Sequence, residues 1–403
     1  MRTISAGLLR WRVATSVIFL LFGAALGAWT ARVPAIKHDL GLSDRQLSLA
    51  LLGLAAGAIT GMQLAGRFVD RFGARAVLAP AALAEGVLLV PTAYVPGVVG
   101  LFLALFVFGV GHGCLNIAMN AEALRVQQAW ARPVISSFHA VYSIGGFAGA
   151  AVGGLFASAG VGARVTFLCV GAGVLLVAAV AARVVALSPA PAAAHPEEAA
   201  AGPLRGVLTL GALAFCVLVG EGAAADWSAV YLRDNLHAGA GTAALGYAAF
   251  AGAMTAGRLV GDRFVARWGA VAVVRASGLL ATTGLGGALL IGEPWAAAAG
   301  WACFGAGLSG IAPQIFSVAG ARNPAQQGRA LARVVGMGYA GFLAGPVLIG
   351  LASGPVGLPA ALGIPVALAA VVALSAGVLR VGSRSGSSAA VTSGGHPSVD
   401  IGD

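Results

Sequence analysis

His112, Asn116 and Asn120 recur at every fourth position of a run that is otherwise apolar. On a helix this spacing puts the three side chains on one face within about 12 Å of rise. An amide or imidazole without a partner is costly in an apolar medium, so that face must look toward other protein groups or a wet cavity. Two chemistries fit: hydrogen bonds that cross-link helices, or donors and acceptors offered to a hydroxylated solute, since amides fork onto diols. Farther along, His139 and Tyr142 stand one turn apart, Gln314 adds an amide, and Trp29 and Trp227 supply indole faces on which the apolar side of a ring can stack. These eight residues are the candidate solute-binding set.

Glu221 lies deep in another apolar run, five residues before Asp226. An ionised carboxylate at such depth is costly unless it is paired, hydrated or protonated. Glu221 is therefore either a proton carrier or half of a structural pair with His112 or His139, and Asp226 is grouped with it as a proton-coupling candidate. Asp226 and Arg32 also fit an outer gate, and Glu85 reads as structural. The chain shows no His-x-x-x-His, no Ser-His-Asp set and no Gly-x-x-x-x-Gly-Lys-Ser/Thr, and its four cysteines each stand alone in apolar surroundings. Neither an enzyme, nor a metal centre, nor a nucleotide or other cofactor is expected.

What positions these groups follows from composition. Hydrophobic residues make up 59% of the 403, charged residues 9%, and mean hydropathy is +0.91, which a water-soluble chain of this length could not keep off its surface. Nothing alternates with the period of a barrel strand. The reading is an all-α polytopic membrane protein. Apolar stretches at about 13–33, 46–66, 75–95, 97–119, 134–159 and 164–187 give a six-span half over 1–187. Those at 207–231, 242–261, 270–291, 295–319, 332–352 and 359–380 give a second half over 207–380. Residues 188–206, proline-rich and polar, read as a cytoplasmic linker, and 381–403, rich in Ser and Gly, as a disordered cytoplasmic tail.

The net charge of +10 does not point to nucleic acid, because the basic residues sit between spans rather than in a patch with interleaved aromatics. They set orientation: with the N-terminus inside, 19 of the 24 basic residues fall on inner segments, Arg258 counted among them, and 5 on outer ones. Both termini are thus expected in the cytoplasm. A single lysine, Lys37, beside a heavy load of Ala and Gly fits a GC-rich bacterial genome and hence the inner membrane.

Between the second and third spans runs Gly66-Arg67-Phe68-Val69-Asp70-Arg71-Phe72-Gly73-Ala74-Arg75-Ala76-Val77, and a shift of 196 residues gives Asp262-Arg263-Phe264-Val265-Ala266-Arg267-Trp268-Gly269-Ala270-Val271-Ala272-Val273. One loop is written twice, so the two halves are parallel repeats. Gly66 and Gly73 let helix ends approach, while Asp70 can face the positive end of a neighbouring helix. Gly66, Asp70, Arg71, Gly73 and Arg75, with Asp262, Arg263 and Arg267 of the second copy, are the gating candidates. Ala266 stands at the counterpart of Asp70, which argues against a second, symmetrical latch.

Twelve spans in two six-helix bundles, joined to Gly66, Asp70, Arg71, Gly73 and Arg75 at these spacings, resemble the major facilitator superfamily over residues 10 to 380. The resemblance implies a central path lined by the first, fourth, seventh and tenth spans. It also implies that the Asp70 loop meets the start of the eleventh span, near Gly328 to Arg333, in the state closed to the cytoplasm. Phe138-His139-Ala140-Val141-Tyr142 and Asn116-Ile117-Ala118-Met119-Asn120 are similar to the fucose-permease-like bacterial branch. Proton-coupled members of that branch carry carboxylates on the first and fourth spans; here the first has none and the fourth only Glu122. The expectation is a monomeric secondary carrier with a small solute, protons and the bilayer as partners. It moves a sugar or polyol by rocking its halves, and a proton-driven efflux antiporter is the alternative.

Overall fold

The computed structural model describes residues 5–42, 44–188 and 206–380; most of the expected linker and the whole of the expected tail lie outside the described residues. The apolar runs fold as helices because only there does every backbone group find a partner without water. In chain order these are α1 (Ala6–Asp39), α2 (Asp44–Phe72), α3 (Ala74–Leu89), α4 (Gly97–Trp130), α5 (Ile135–Ser158), α6 (Ala163–Leu187) and α7 (Val207–Val230). Ala240–Ile291 is continuous by hydrogen bonding, but Gly269 inside it takes φ 78°, ψ 160°, so it is two spans, α8 (240–268) and α9 (270–291). Then come α10 (Pro294–Arg322), α11 (Gln327–Val356) and α12 (Leu358–Leu379). Twelve helices therefore cross, among the described residues.

Gly73, which ends α2, has φ 83° and ψ 156°, nearly the angles of Gly269. The two positions are 196 apart, and both need the positive φ that glycine takes without steric cost. Packing repeats as well. In the first half α1 lies on α5, α2 on α4 and α3 on α6; in the second α7 lies on α11, α8 on α10 and α9 on α12. A Cβ on Gly109 would come 2.3 Å from the Leu54 carbonyl oxygen, and one on Gly305 would come 2.1 Å from that of Phe250. Leu54 and Phe250 are themselves 196 apart, so the same closest approach is built twice.

Many helices outrun their apolar cores. α4 continues eleven residues past the expected end at 119, which carries Asn120 and Glu122 into a buried helix rather than toward an end, at 3% and 0% exposure. Large apolar side chains such as Leu176, Val180 and Leu374 face outward, where a bilayer supplies their surroundings. The halves meet where α2 lies against α11 and α5 against α8.

Candidate functional site

The repeated loops close one end of the bundle, the end where odd-numbered helices begin and even-numbered ones finish. Asp70 at the end of α2 accepts hydrogen bonds from the backbone N–H groups of Gly328 (2.7 Å) and Arg329 (3.2 Å) at the start of α11, and Arg329 Nε lies 3.2 Å from the same carboxylate. Gly66 makes this approach feasible, since a Cβ there would fall 2.7 Å from that of Ala332. Gln63 adds a bond from its Nε2 to the Ala332 carbonyl at 2.9 Å.

The second loop does the same by another residue. Asp262 accepts from the backbone N–H groups of Ser136 (2.9 Å) and Ser137 (2.8 Å) at the start of α5, and Arg12 of α1 is close enough to be attracted to it. The absence of an aspartate at Ala266 thus does not remove the second carboxylate contact between the halves. A carboxylate one helical turn earlier reaches the equivalent helix start, where unpaired N–H groups and the helix dipole favour an anion. The arginines of the loops divide. Arg75 donates from Nε to Glu122 (2.8 Å) and from Nη1 to the Ser188 carbonyl (2.8 Å), within its own half. Glu122 also takes Trp11 Nε1 at 2.8 Å and Arg125 at 3.2 Å. Arg71, Arg263 and Arg267 are exposed.

At mid-depth a second set of polar groups joins the halves. Arg258 of α8 lies 3.3 Å from Glu221 of α7 through Nη2 and donates from Nη1 to Ser143 Oγ of α5 at 3.0 Å. Glu221 is the fifteenth residue of α7, about 21 Å along it. Tyr339 of α11 lies beside Asn116 of α4, and Asn120 donates to the Asn116 side chain and carbonyl. His139 edges against Phe19 and Phe316, the latter from the other half. Tyr142 lies close enough to Arg258, Glu221 and Glu85 to feel all three charges. Gln314 is buried and reaches Ser136 Oγ at 3.4 Å.

His112 is tied instead to Glu85 of α3, its Nδ1 lying 2.8 Å from Oε1, and Phe22 stacks on its ring at 3.8 Å. His112 Nε2 and Glu85 Oε2 have no partner among the described residues. The side chain of Glu221 keeps 19% of its surface accessible and that of Glu85 none, so of the two Glu221 is the more accessible. Three candidates stand apart. Trp29 is buried against Phe167 of α6, Trp227 donates to the Pro346 carbonyl inside its own half (3.1 Å), and Asp226 is exposed. Arg32 bonds the Val161 carbonyl at 2.7 Å rather than Asp226.

Comparison with known proteins decides the family. The model of the Major Facilitator Superfamily matches residues 14–231. An uncharacterised MFS-type transporter of Yersinia pestis is 34% identical over 341 residues, 84% of this chain and 88% of that protein. The chain belongs to the major facilitator superfamily. Membrane protein MosC of Rhizobium meliloti is 33% identical over 352 residues, 86% of this chain and 85% of its own. Among solved structures, the MFS transporter FucP in the outward conformation superposes with a TM-score of 0.79 at 17% identity, covering 94% of this chain and 100% of that one. The human organic anion transporter MFSD10 gives 0.69 at 15%, covering 93% and 99%. The family and fold are those of membrane transporters.

In this facilitator-superfamily transporter the partner of Glu221 is Arg258, not either histidine. Sequence reading had counted Arg258 among the charges that set topology, yet it is 8% exposed and sits within α8. The signal was present: Arg258 stands ten residues before Trp268, too far inside the span to belong to the loop. Ser143 and Tyr339 were missed as members of the seam because nothing in their local sequence tells a helix face that meets protein from one that meets lipid.

Proposed function

We propose that this transporter carries a small polar solute, a sugar or polyol, through the seam between its halves by alternating access, driven by protons, in the inner membrane of a bacterium with both termini in the cytoplasm. The observation that carries the reading is Arg258 reaching Glu221 on its own half and Ser143 on the other: a guanidinium held by a carboxylate of one half and hydrogen-bonded across the seam where the halves must part. Ser143, Asn116, Tyr339 and Gln314 offer hydroxyl and amide groups suited to a polyhydroxylated solute, and Phe316 and Phe19 offer apolar faces. A proton on Glu221 neutralises it and weakens its hold on Arg258, so loading the carboxylate changes the setting of the same guanidinium that bonds Ser143 across the seam. The latched end is the cytoplasmic one in this reading, held by Asp70 and Asp262. The test is a thermal-shift screen of the purified protein against sugars, polyols, hydroxy acids and drugs, followed by flux of the hit in proteoliposomes and everted vesicles. Accumulation in proteoliposomes under an inward proton gradient supports uptake. Loss from cells with accumulation in everted vesicles supports efflux, and binding without flux would reject transport of that solute.

A further inference from the structure

Each copy of the repeated loop turns beside an apolar groove on the outside of the bundle. The groove beside the second copy has a volume of about 570 Å³ and is walled by Phe264, Trp268, Ala272, Val273 and Ala276 among others. That beside the first, about 310 Å³, is lined by Phe68, Phe72, Ala76, Val77 and Pro80. Adding 196 to those five positions gives 264, 268, 272, 273 and 276, all of them in the larger groove. The repeat has thus preserved a concavity as well as a loop.

Both grooves have an aromatic wall and a cationic mouth. Phe68 stacks on Phe72 at 6.1 Å and Phe264 on Trp268 at 5.2 Å, yet all four rings are 44% to 58% exposed. Arg67 and Arg71, and in the second copy Arg263 and Arg267, are one helical turn apart and exposed, and none has a carboxylate within ion-pair distance among the described residues. Arg71 lies over the Phe72 ring at 5.2 Å and Arg267 over Trp268 at 5.9 Å, so guanidinium and groove adjoin. An apolar slot adjoining one unpaired guanidinium, with a second exposed arginine one helical turn away, matches an acyl chain that ends in an anionic headgroup.

We propose that each groove holds one anionic phospholipid, its acyl chain against the aromatic pair and its phosphate on Arg67 and Arg71 or on Arg263 and Arg267. The larger groove is also walled by Gly257 and Gly261. A Cβ on Gly261 would lie 3.2 Å from Ser136 Oγ, on the helix start that Asp262 caps, so a bound lipid braces the end of α8 that carries the latch.

Trp268 is a natural probe. Its emission is isolated by subtracting the spectrum of the Trp268→Phe variant, and bilayers are made from equal parts of phosphatidylglycerol and phosphatidylcholine with bromine on the acyl chains of one or the other. Each arginine near the surface is worth about a fivefold preference for an anionic lipid. Brominated phosphatidylglycerol should therefore quench Trp268 far beyond its mole fraction, and the preference should vanish in Arg263→Gln/Arg267→Gln. A second reporter covers the other groove: Phe72→Trp in the Trp268→Phe background should show the same preference and lose it with Arg67→Gln/Arg71→Gln. Equal quenching by the two brominated lipids, or a preference that survives loss of the arginines, would overturn the proposal.

Discussion

Replacing Asp262 by alanine removes both acceptors that hold the first turn of α5, the bonds from Ser136 N–H and Ser137 N–H at 2.9 and 2.8 Å. A hydrogen bond to an ionised acceptor contributes roughly 1.5–3 kcal/mol. These two share one carboxylate near the end of the bundle, so their sum is taken near the lower bound, about 2–3 kcal/mol, because neighbouring contributions do not add fully. That is roughly 30- to 150-fold in the ratio of closed to open end. Hydrogen exchange read by mass spectrometry measures that ratio, and two sets of amides distinguish the alternatives. Ser136 and Ser137 lose their own acceptor and must exchange faster in the variant. Gly328 and Arg329, bonded to the untouched Asp70, exchange faster only if the whole end opens. Rigid halves require both sets to accelerate by a comparable factor; acceleration confined to Ser136 and Ser137 would refute the idea that the two carboxylates hold one gate.

Gly66→Ala puts a Cβ 2.7 Å from that of Ala332 and 2.9 Å from the Gly328 carbonyl oxygen. Overpacking of this kind costs about 1–3 kcal/mol, here charged to the latched arrangement alone, and should speed exchange at Gly328 and Arg329 while leaving the thermal midpoint close to that of the parent. Asp70→Asn should slow turnover more than it weakens solute binding, measured as initial flux against a thermal-shift titration; unchanged flux would reject the latch. Glu122→Gln strips the charge from a fully buried group bonded to Trp11, Arg75 and Arg125. Breaking such a buried network costs about 3–5 kcal/mol, and a lowered thermal midpoint is the readout. Glu221→Gln should abolish pH-driven accumulation yet leave solute exchange intact in counterflow.

The duplication was legible because it is a matter of numbering: Gly73 and Gly269 share a backbone conformation, and Leu54–Gly109 and Phe250–Gly305 share a contact, each at the same offset. The capping role of Asp262 was not, because alignment compares positions whereas a carboxylate acts through space. A shift of one turn keeps Asp262 on the same helix face and within reach of α5. The polar stripe on α4 was visible as a stripe, and the sequence left it open between cross-linking and solute contact. The structure uses its members differently, His112 against Glu85 of its own half and Asn116 against Tyr339 of the other. Trp29 shows the limit of reading aromatics near a span end: hydrophobicity alone does not separate a ring facing a path from one packed on Phe167.

The most direct measurement of proton-driven solute movement through the seam follows the pH inside proteoliposomes with a trapped dye when the solute found by thermal shift is added outside. The account predicts internal acidification that starts with the solute, scales with its uptake and disappears in Glu221→Gln while counterflow exchange continues. Solute entry without any proton movement, or acidification that persists at full rate in Glu221→Gln, would contradict it.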